Sequence, residues 1–213
     1  MRRIILDLEA TGNRDTKYQR ICEIGAIEFD EHYLPVSYYQ QHINPVVRIP
    51  FSGYKIHKLT NGFLSHSPRF HVIADSLIEY LRGAQIYAHG ARNDRNWLDS
   101  ELARYLLPTT EALGCTWIDT LKIAQKHTEI PRPGIDGLCD WYGMDTSFRL
   151  THGALTDCAL LLSILPLIEG HEDQGWEPED ISDWLDKHPE LNHKKQFTPP
   201  PQPTGEQLSL QIG

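Results

Sequence analysis

Residues 4–12 read IILDLEATG and residues 21–29 read ICEIGAIEF. Both runs are short, aliphatic and β-branched, and turn-forming residues bound them, so both are expected to be strands. The first carries Asp7 and Glu9 two positions apart. Side chains alternate along a strand, so these two acids share one face near its C-terminal end. An unpaired buried carboxylate is very costly, and ligation of a metal ion removes that cost. Spacing alone is a weak signal, because Asp99 and Glu101 repeat the pattern in what reads as an exposed helical turn.

Working outward, residues 3–9, 21–29 and 36–44 read as three strands, with turn chemistry at Gly12–Asn13 and His32–Pro35. The period then changes. Ser67 reads as an N-cap and Pro68 as the first helical position, with helical spacing continuing to a stop at Gly83. A buried strand is expected at 85–89, then a helix over about 94–106 with Trp97, Leu98, Leu102 and Leu106 on its apolar stripe. Further helices are expected over 119–127, 135–142 and 154–168. Strands followed by alternating strands and helices indicate an α/β domain with a mixed sheet. It spans residues 1–168. An acidic helical extension occupies 169–196, with a short helix at 176–188 whose apolar stripe is Trp184 and Leu185. A tail follows over 197–213, where FTPPPQPTGE is too Pro-rich for ordinary secondary structure.

Bulk composition narrows the function. At 213 residues, the chain suits one domain with a short appendage. A net charge of −9 argues against a protein that coats nucleic acid, which needs a basic footprint. It leaves room for an enzyme gripping a few nucleotides at one strand end. No apolar run approaches the roughly 20 residues needed to cross a membrane. The N-terminal apolar stretch is too short for a secretory signal, so a cytoplasmic protein is expected. Cys22, Cys115, Cys139 and Cys158 are scattered, and read as reduced, buried thiols.

Two further blocks carry acids. Asp94 lies in YAHGARNDRNWLDSEL (87–102), where it reads either as a helix N-cap or as a ligand. Asp157 lies one turn into an apolar helix in LTHGALTDCALLL (150–162), and such a carboxylate needs a partner. His152 precedes that helix. Four carboxylates have little reason to converge unless they neutralise something strongly positive, and a pair of divalent cations is a tool for cutting phosphodiesters.

Taken together, the blocks resemble the three motifs of the DEDDh 3′–5′ exonucleases in order, spacing and flanks. D-x-E-T-T-G stands here as DLEATG, H-N-A-x-F-D as HGARND, and H-x-A-L-x-D as HGALTD. Within that superfamily, IxEIGAIEF, GYKIHKLTNGFL and IEYLRGAQIYAHG are similar to the proofreading (epsilon) subunits of bacterial DNA polymerase III. The resemblance covers roughly residues 3–168. It implies an RNase H-like mixed central sheet flanked by helices, with Asp7, Glu9, Asp94 and Asp157 as ligands of two divalent cations, Mg²⁺ or Mn²⁺. It implies His152 as general base, and contacts to the terminal nucleotide around Leu8, Ala10, Thr11, His57 and His89. Leu8 and Ala10 stand where threonines are usual, and Gly90 and Asn93 where Asn and Phe are usual. The tail QLSLQIG resembles the linear motif by which bacterial proteins bind the sliding clamp, with Gln207, Leu208, Leu210 and Ile212 as its contacts. The implied partners are single-stranded or mismatched DNA 3′ ends, a DNA polymerase subunit and the clamp. An RNA-trimming relative and a non-catalytic scaffold are the competing readings.

Overall fold

The structure is a computed structural model and describes residues 1–12, 18–147, 153–171 and 177–193. Five strands form its central sheet: β1 (Arg3–Ala10), β2 (Ile21–Phe29), β3 (Pro35–His42), β4 (Gln85–Ala88) and β5 (Thr116–Asp119). Their order is β3-β2-β1-β4-β5. The β1–β2 and β2–β3 pairs are antiparallel, whereas β1–β4 and β4–β5 are parallel, so the sheet is mixed as expected. The helices are α1 (Phe51–His57), α2 (Asn61–Leu64), α3 (Phe70–Leu81), α4 (Arg92–Arg104), α5 (Thr120–His127), α6 (Ile135–Tyr142), α7 (Ala154–Ile168) and α8 (Pro178–Lys187). Among the described residues, no helix is long and apolar enough to cross a membrane.

Strand alternation sorts β1 between two cores. Ile4, Leu6 and Leu8 pack with Ile73 and Leu77 of α3 and Leu98 and Leu102 of α4. Ile5 faces the other way, packing with Leu160, Ile164 and their neighbours on α7, and with Leu138 and Ile181. Asp7 and Glu9 share the parity of Ile5, so the strand's period carries them to the α7 side. Helix and strand touch there at backbone distance. A Cβ added to Gly25 of β2 would lie 2.3 Å from the carbonyl carbon of Ala154 and 2.3 Å from the amide nitrogen of Leu155. Glycine lets α7 approach the sheet this closely, and α7 carries Asp157.

Several boundaries differ from the sequence reading. The helix expected from Ser67 and Pro68 begins at Phe70, because the chain before it is drawn into pairing. The Asn44 amide donates to the Pro68 carbonyl (2.9 Å), and Asn44 bridges Arg69. Strand β5 was not anticipated. Its four residues are exposed or half-buried and show no apolar alternation, and the helix expected from 119 follows it, starting at Thr120. Helices α1 and α2 were also unanticipated. Each is too short to display a period, and most of their residues are exposed. All four cysteines are buried free thiols.

Beyond α7 the described part of the extension folds back on the domain. Ile181 and Leu185 of α8 join the α7 core, and Trp184 stacks on His188. Asn192 then bridges Tyr38, and the His193 amide donates to the Tyr38 carbonyl at 2.8 Å, so the chain lies along β3. Residues 197–213, with the expected tail motif, lie outside the described residues.

Candidate active site

Three elements deliver the acids. Strand β1 brings Asp7 and Glu9, the first turn of α7 brings Asp157, and the first turn of α4 brings Asp94. Asp7, Glu9 and Asp157 each offer a carboxylate oxygen, and these oxygens lie within 4.8 Å of one another. Asp94 is not the N-cap, a position taken by Ala91. Its buried carboxylate accepts hydrogen bonds from its own amide and from that of Leu8, which seats it against β1 between Asp7 and Glu9.

The electrostatics are those of a crowded anionic site. Asp7 is held well above the usual carboxylate range, first by burial and then by the charges of Asp94, Asp157, Glu9 and Glu23. Every one of these influences pushes the same way. Burial also lifts Asp94, to about 7, against the pull of its two amide donors, and Asp119 adds to the rise. A group of hard oxygen donors that repel one another this strongly fits a divalent cation.

Other acids brace the site, and sequence reading missed them. Glu23 lies opposite Glu9 in the β1–β2 register. It accepts the Ala154 amide at 3.2 Å, anchoring the start of α7, while Gln40 and His42 approach its other oxygen at 3.4 Å. Its signal was an acid inside an otherwise apolar strand. Glu101 is not on an exposed turn; it is 2% exposed. It pairs with Arg20 at 2.5 Å and accepts the Ile21 amide at 3.3 Å, tying α4 to the start of β2. Asp94, Leu98 and Glu101 follow helical spacing, so the buried stripe already included it. Asp119, at the end of β5, accepts the Gly90 amide at 3.1 Å and fixes the turn that leads into α4. Gly90 takes a left-handed conformation there (φ 80°), which favours glycine over the usual Asn.

The residues expected around the terminal nucleotide are placed differently. The Leu8 side chain is buried on the face away from the carboxylates, so only its backbone serves the site. Ala10 is buried. Thr11 is fully buried, and its hydroxyl accepts the Arg20 amide at 3.2 Å. His57 is 3% exposed, not a surface histidine. Its Nδ1 accepts the Leu59 amide at 3.0 Å, and its Nε2 is enclosed without a hydrogen-bond partner. Both nitrogens of His89 face inward, one to Thr120 Oγ1 (3.1 Å) and one to the Pro133 carbonyl (2.7 Å). Burial lowers the pKa of His89, which suits a neutral ring whose Nε2–H donates to Pro133. His152 lies outside the described residues. Its neighbour Gly153 is placed, as the N-cap of α7.

An anionic cluster at the end of a mixed sheet, built from three separated sequence blocks, is the arrangement that a metal-dependent nuclease requires. The chain belongs to the exonuclease family, whose profile matches residues 4–165. More particularly, it is similar to the DNA polymerase III subunit epsilon of Rickettsia typhi, 36% identical over 196 residues that cover 91% of this chain and 82% of the relative. Two solved structures share the fold. Exonuclease X in complex with 5′-overhanging duplex DNA has a TM-score of 0.59 at 22% identity, covering 84% of this chain and 97% of that one. Exonuclease I has a TM-score of 0.70 at 14% identity, covering 88% and 43%. The chain thus carries a 3′–5′ exonuclease domain, homologous to the proofreading subunit, with an acidic group that could bind a divalent metal.

Proposed function

We propose that this chain removes nucleotides one at a time from DNA 3′ ends, single-stranded or mismatched, as a proofreading or clamp-associated exonuclease. The observation that carries the reading is the convergence of Asp7, Glu9 and Asp157 within 4.8 Å, with Asp94 seated beside them on β1. These four carboxylates would hold two divalent cations, Mg²⁺ or Mn²⁺. When bound, the cations supply Lewis-acid polarisation of the scissile phosphate and an acidified water.

The chain's own residues do the rest. Gly25 and Glu23 set the position of α7, and so of Asp157. Asp119 and Glu101 set α4, and so Asp94. His152, the residue before the α7 N-cap, takes the proton of the attacking water, a role matched to the imidazole pKa. His152→Ala should therefore lower turnover strongly while Mn²⁺ binding survives in titration calorimetry, and Asp7→Ala should lose both. Loss of Mn²⁺ binding in His152→Ala would overturn the assignment.

Two partners fit the remaining features. The tail residues Gln207, Leu208, Leu210 and Ile212 suit a groove on the sliding clamp, reached on a Pro-rich tether of about 30 Å. Residues 169–196 suit contact with a polymerase subunit. The deciding experiment is digestion of 3′-labelled matched and mismatched DNA primers against RNA, in Mg²⁺ and in EDTA. Faster loss of mismatched DNA, abolished by EDTA, is expected. Equal or faster trimming of RNA would place the chain among the RNA-processing members.

A further inference from the structure

Residues 32–74 contain no Asp or Glu, in a chain that has 29 of them. The middle of this run folds into the 44–48 segment, α1 and α2, and its exposed side chains form a distinctive set. Phe51 is 69% exposed, Phe63 53% and Tyr54 38%. Arg48, Lys55 and Lys58 are exposed in the same stretch of sequence. Phe51 and Tyr54 stack on one another with centroids 6.2 Å apart. The Lys55 ammonium lies 5.1 Å from the Phe51 ring centre, and that of Lys58 lies 5.8 Å from the Tyr54 ring centre. Arg48 lines an open cleft of about 450 Å³ with Val46, Val47 and Asn61.

This surface is fastened to the active-site strand. A Cβ on Gly53 would lie 2.4 Å from the Thr11 carbonyl oxygen, and one on Gly12 would lie 2.8 Å from the Gly53 Cα. Helix α1 therefore presses on the chain that leaves β1 just past Glu9. His57, at the end of α1, is buried against the same segment.

Exposed rings gathered in one patch mark a surface that interacts. Rings alternating with ammonium groups, with no acid near them in sequence, suit a polyanion that also offers flat π-faces. Single-stranded nucleic acid has both properties, and stacking on aromatic side chains holds it without regard to sequence. A protein partner would also cover the rings, but gives no reason to exclude every carboxylate from 43 consecutive residues.

We infer that the α1–α2 surface, through Phe51, Tyr54, Phe63, Arg48, Lys55 and Lys58, is the track for the single strand just upstream of the 3′-terminal nucleotide. The inference rests on the exonuclease reading above. It explains how a chain of net charge −9 holds DNA, since the few cations along the strand's path face no acids from their own stretch of sequence.

The test uses full-length chain and two substrates. One is a twelve-residue thymidine oligonucleotide. The other is the p-nitrophenyl ester of thymidine 5′-monophosphate, which occupies the active site but has no upstream strand. The variants are Phe51→Ala/Tyr54→Ala and Lys55→Gln/Lys58→Gln, all at exposed positions. Stacking is worth roughly 1–3 kcal/mol per base, so the aromatic pair should raise KM for the oligonucleotide by about tenfold or more. Turnover at saturation and hydrolysis of the ester should stay at wild-type levels. For the lysine pair, the slope of log affinity against log salt, read by anisotropy of labelled oligonucleotide in EDTA, should fall by about 1.4. Unchanged KM and salt slope would overturn the track and leave a protein-facing surface. Equal loss on both substrates would also overturn it, by placing the effect in the active site. Failure of the wild-type chain to degrade the oligonucleotide in Mg²⁺ would instead sink the exonuclease reading.

Discussion

The acids of the site carry a testable charge imbalance. Burial holds Asp94 at about 7, and burial with four neighbouring carboxylates holds Asp7 well above the ordinary range. Between the ordinary carboxylate value and these raised ones, the folded protein keeps protons that the unfolded chain has released. Metal-free stability should therefore be greatest in acid and fall as pH rises from about 4 to about 7. Divalent metal bound at the proposed site would replace those protons. Melting curves in EDTA should drop across that window, while those in Mg²⁺ at 100 times its dissociation constant should gain about 2.7 kcal/mol and lose most of the slope. Asp94→Asn should flatten the EDTA curve, and parallel curves with and without Mg²⁺ would refute the account. Glu101 makes a second prediction. Glu101→Ala strands Arg20 and the Ile21 amide in the interior, which should cost about 3 kcal/mol, or roughly 6–12 °C in melting temperature for a domain of this size. These two kinds of acid also show what a sequence discloses. Asp7, Glu9 and Asp157 are legible because each breaks an apolar pattern. Asp94 stays ambiguous alone, since a helix welcomes an acid in its first turn whatever the acid is for. Glu23 and Glu101 leave a trace in the strand and helix patterns, but not their roles, because their partners lie 131 and 81 residues away.

At the scale of elements, the site depends on how closely α7 lies on β2. Gly25→Ala would drive a methyl into the backbone of Ala154 and Leu155. Overpacking of this kind costs about 1–3 kcal/mol, and here it should also displace Asp157. The expected outcome is a melting temperature lower by several degrees together with weaker Mn²⁺ binding by calorimetry. A variant that loses stability but keeps wild-type metal affinity would show that α7 can move without Asp157. The long elements were readable because their periods run for several turns or residues. Strands β1 and β2 and helix α7 declare themselves through long, mostly apolar runs. Strand β5, with four half-exposed residues, is defined by its pairing with β4 and not by its composition. Helices α1 and α2 arise from the close packing of Gly53 on Thr11 and from the left-handed turn at Lys58, neither of which has a periodic signature.

For the molecule as a whole, the segment after α7 belongs structurally to the domain it follows. Ile181 and Leu185 are buried in the α7 core, and residues 192–193 pair with Tyr38. A chain ending at residue 193 should keep its melting temperature and its hydrolysis of a thymidine nucleotide ester, while losing any affinity for the clamp in surface plasmon resonance. A chain ending at residue 171 should lose several kcal/mol, since two buried aliphatic side chains, Ile181 and Leu185, and their packing go with α8. Equal stability of the two truncations would show that α8 is a passenger. The pairing along Tyr38 has one more consequence. Strand β3 ends the antiparallel side of the sheet, and an open strand edge is a template for another chain's strand. By occupying part of that edge with its own residues 192–193, the molecule denies it to other copies, so loss of this short segment should appear first as aggregation in concentrated solution, before any change in catalysis.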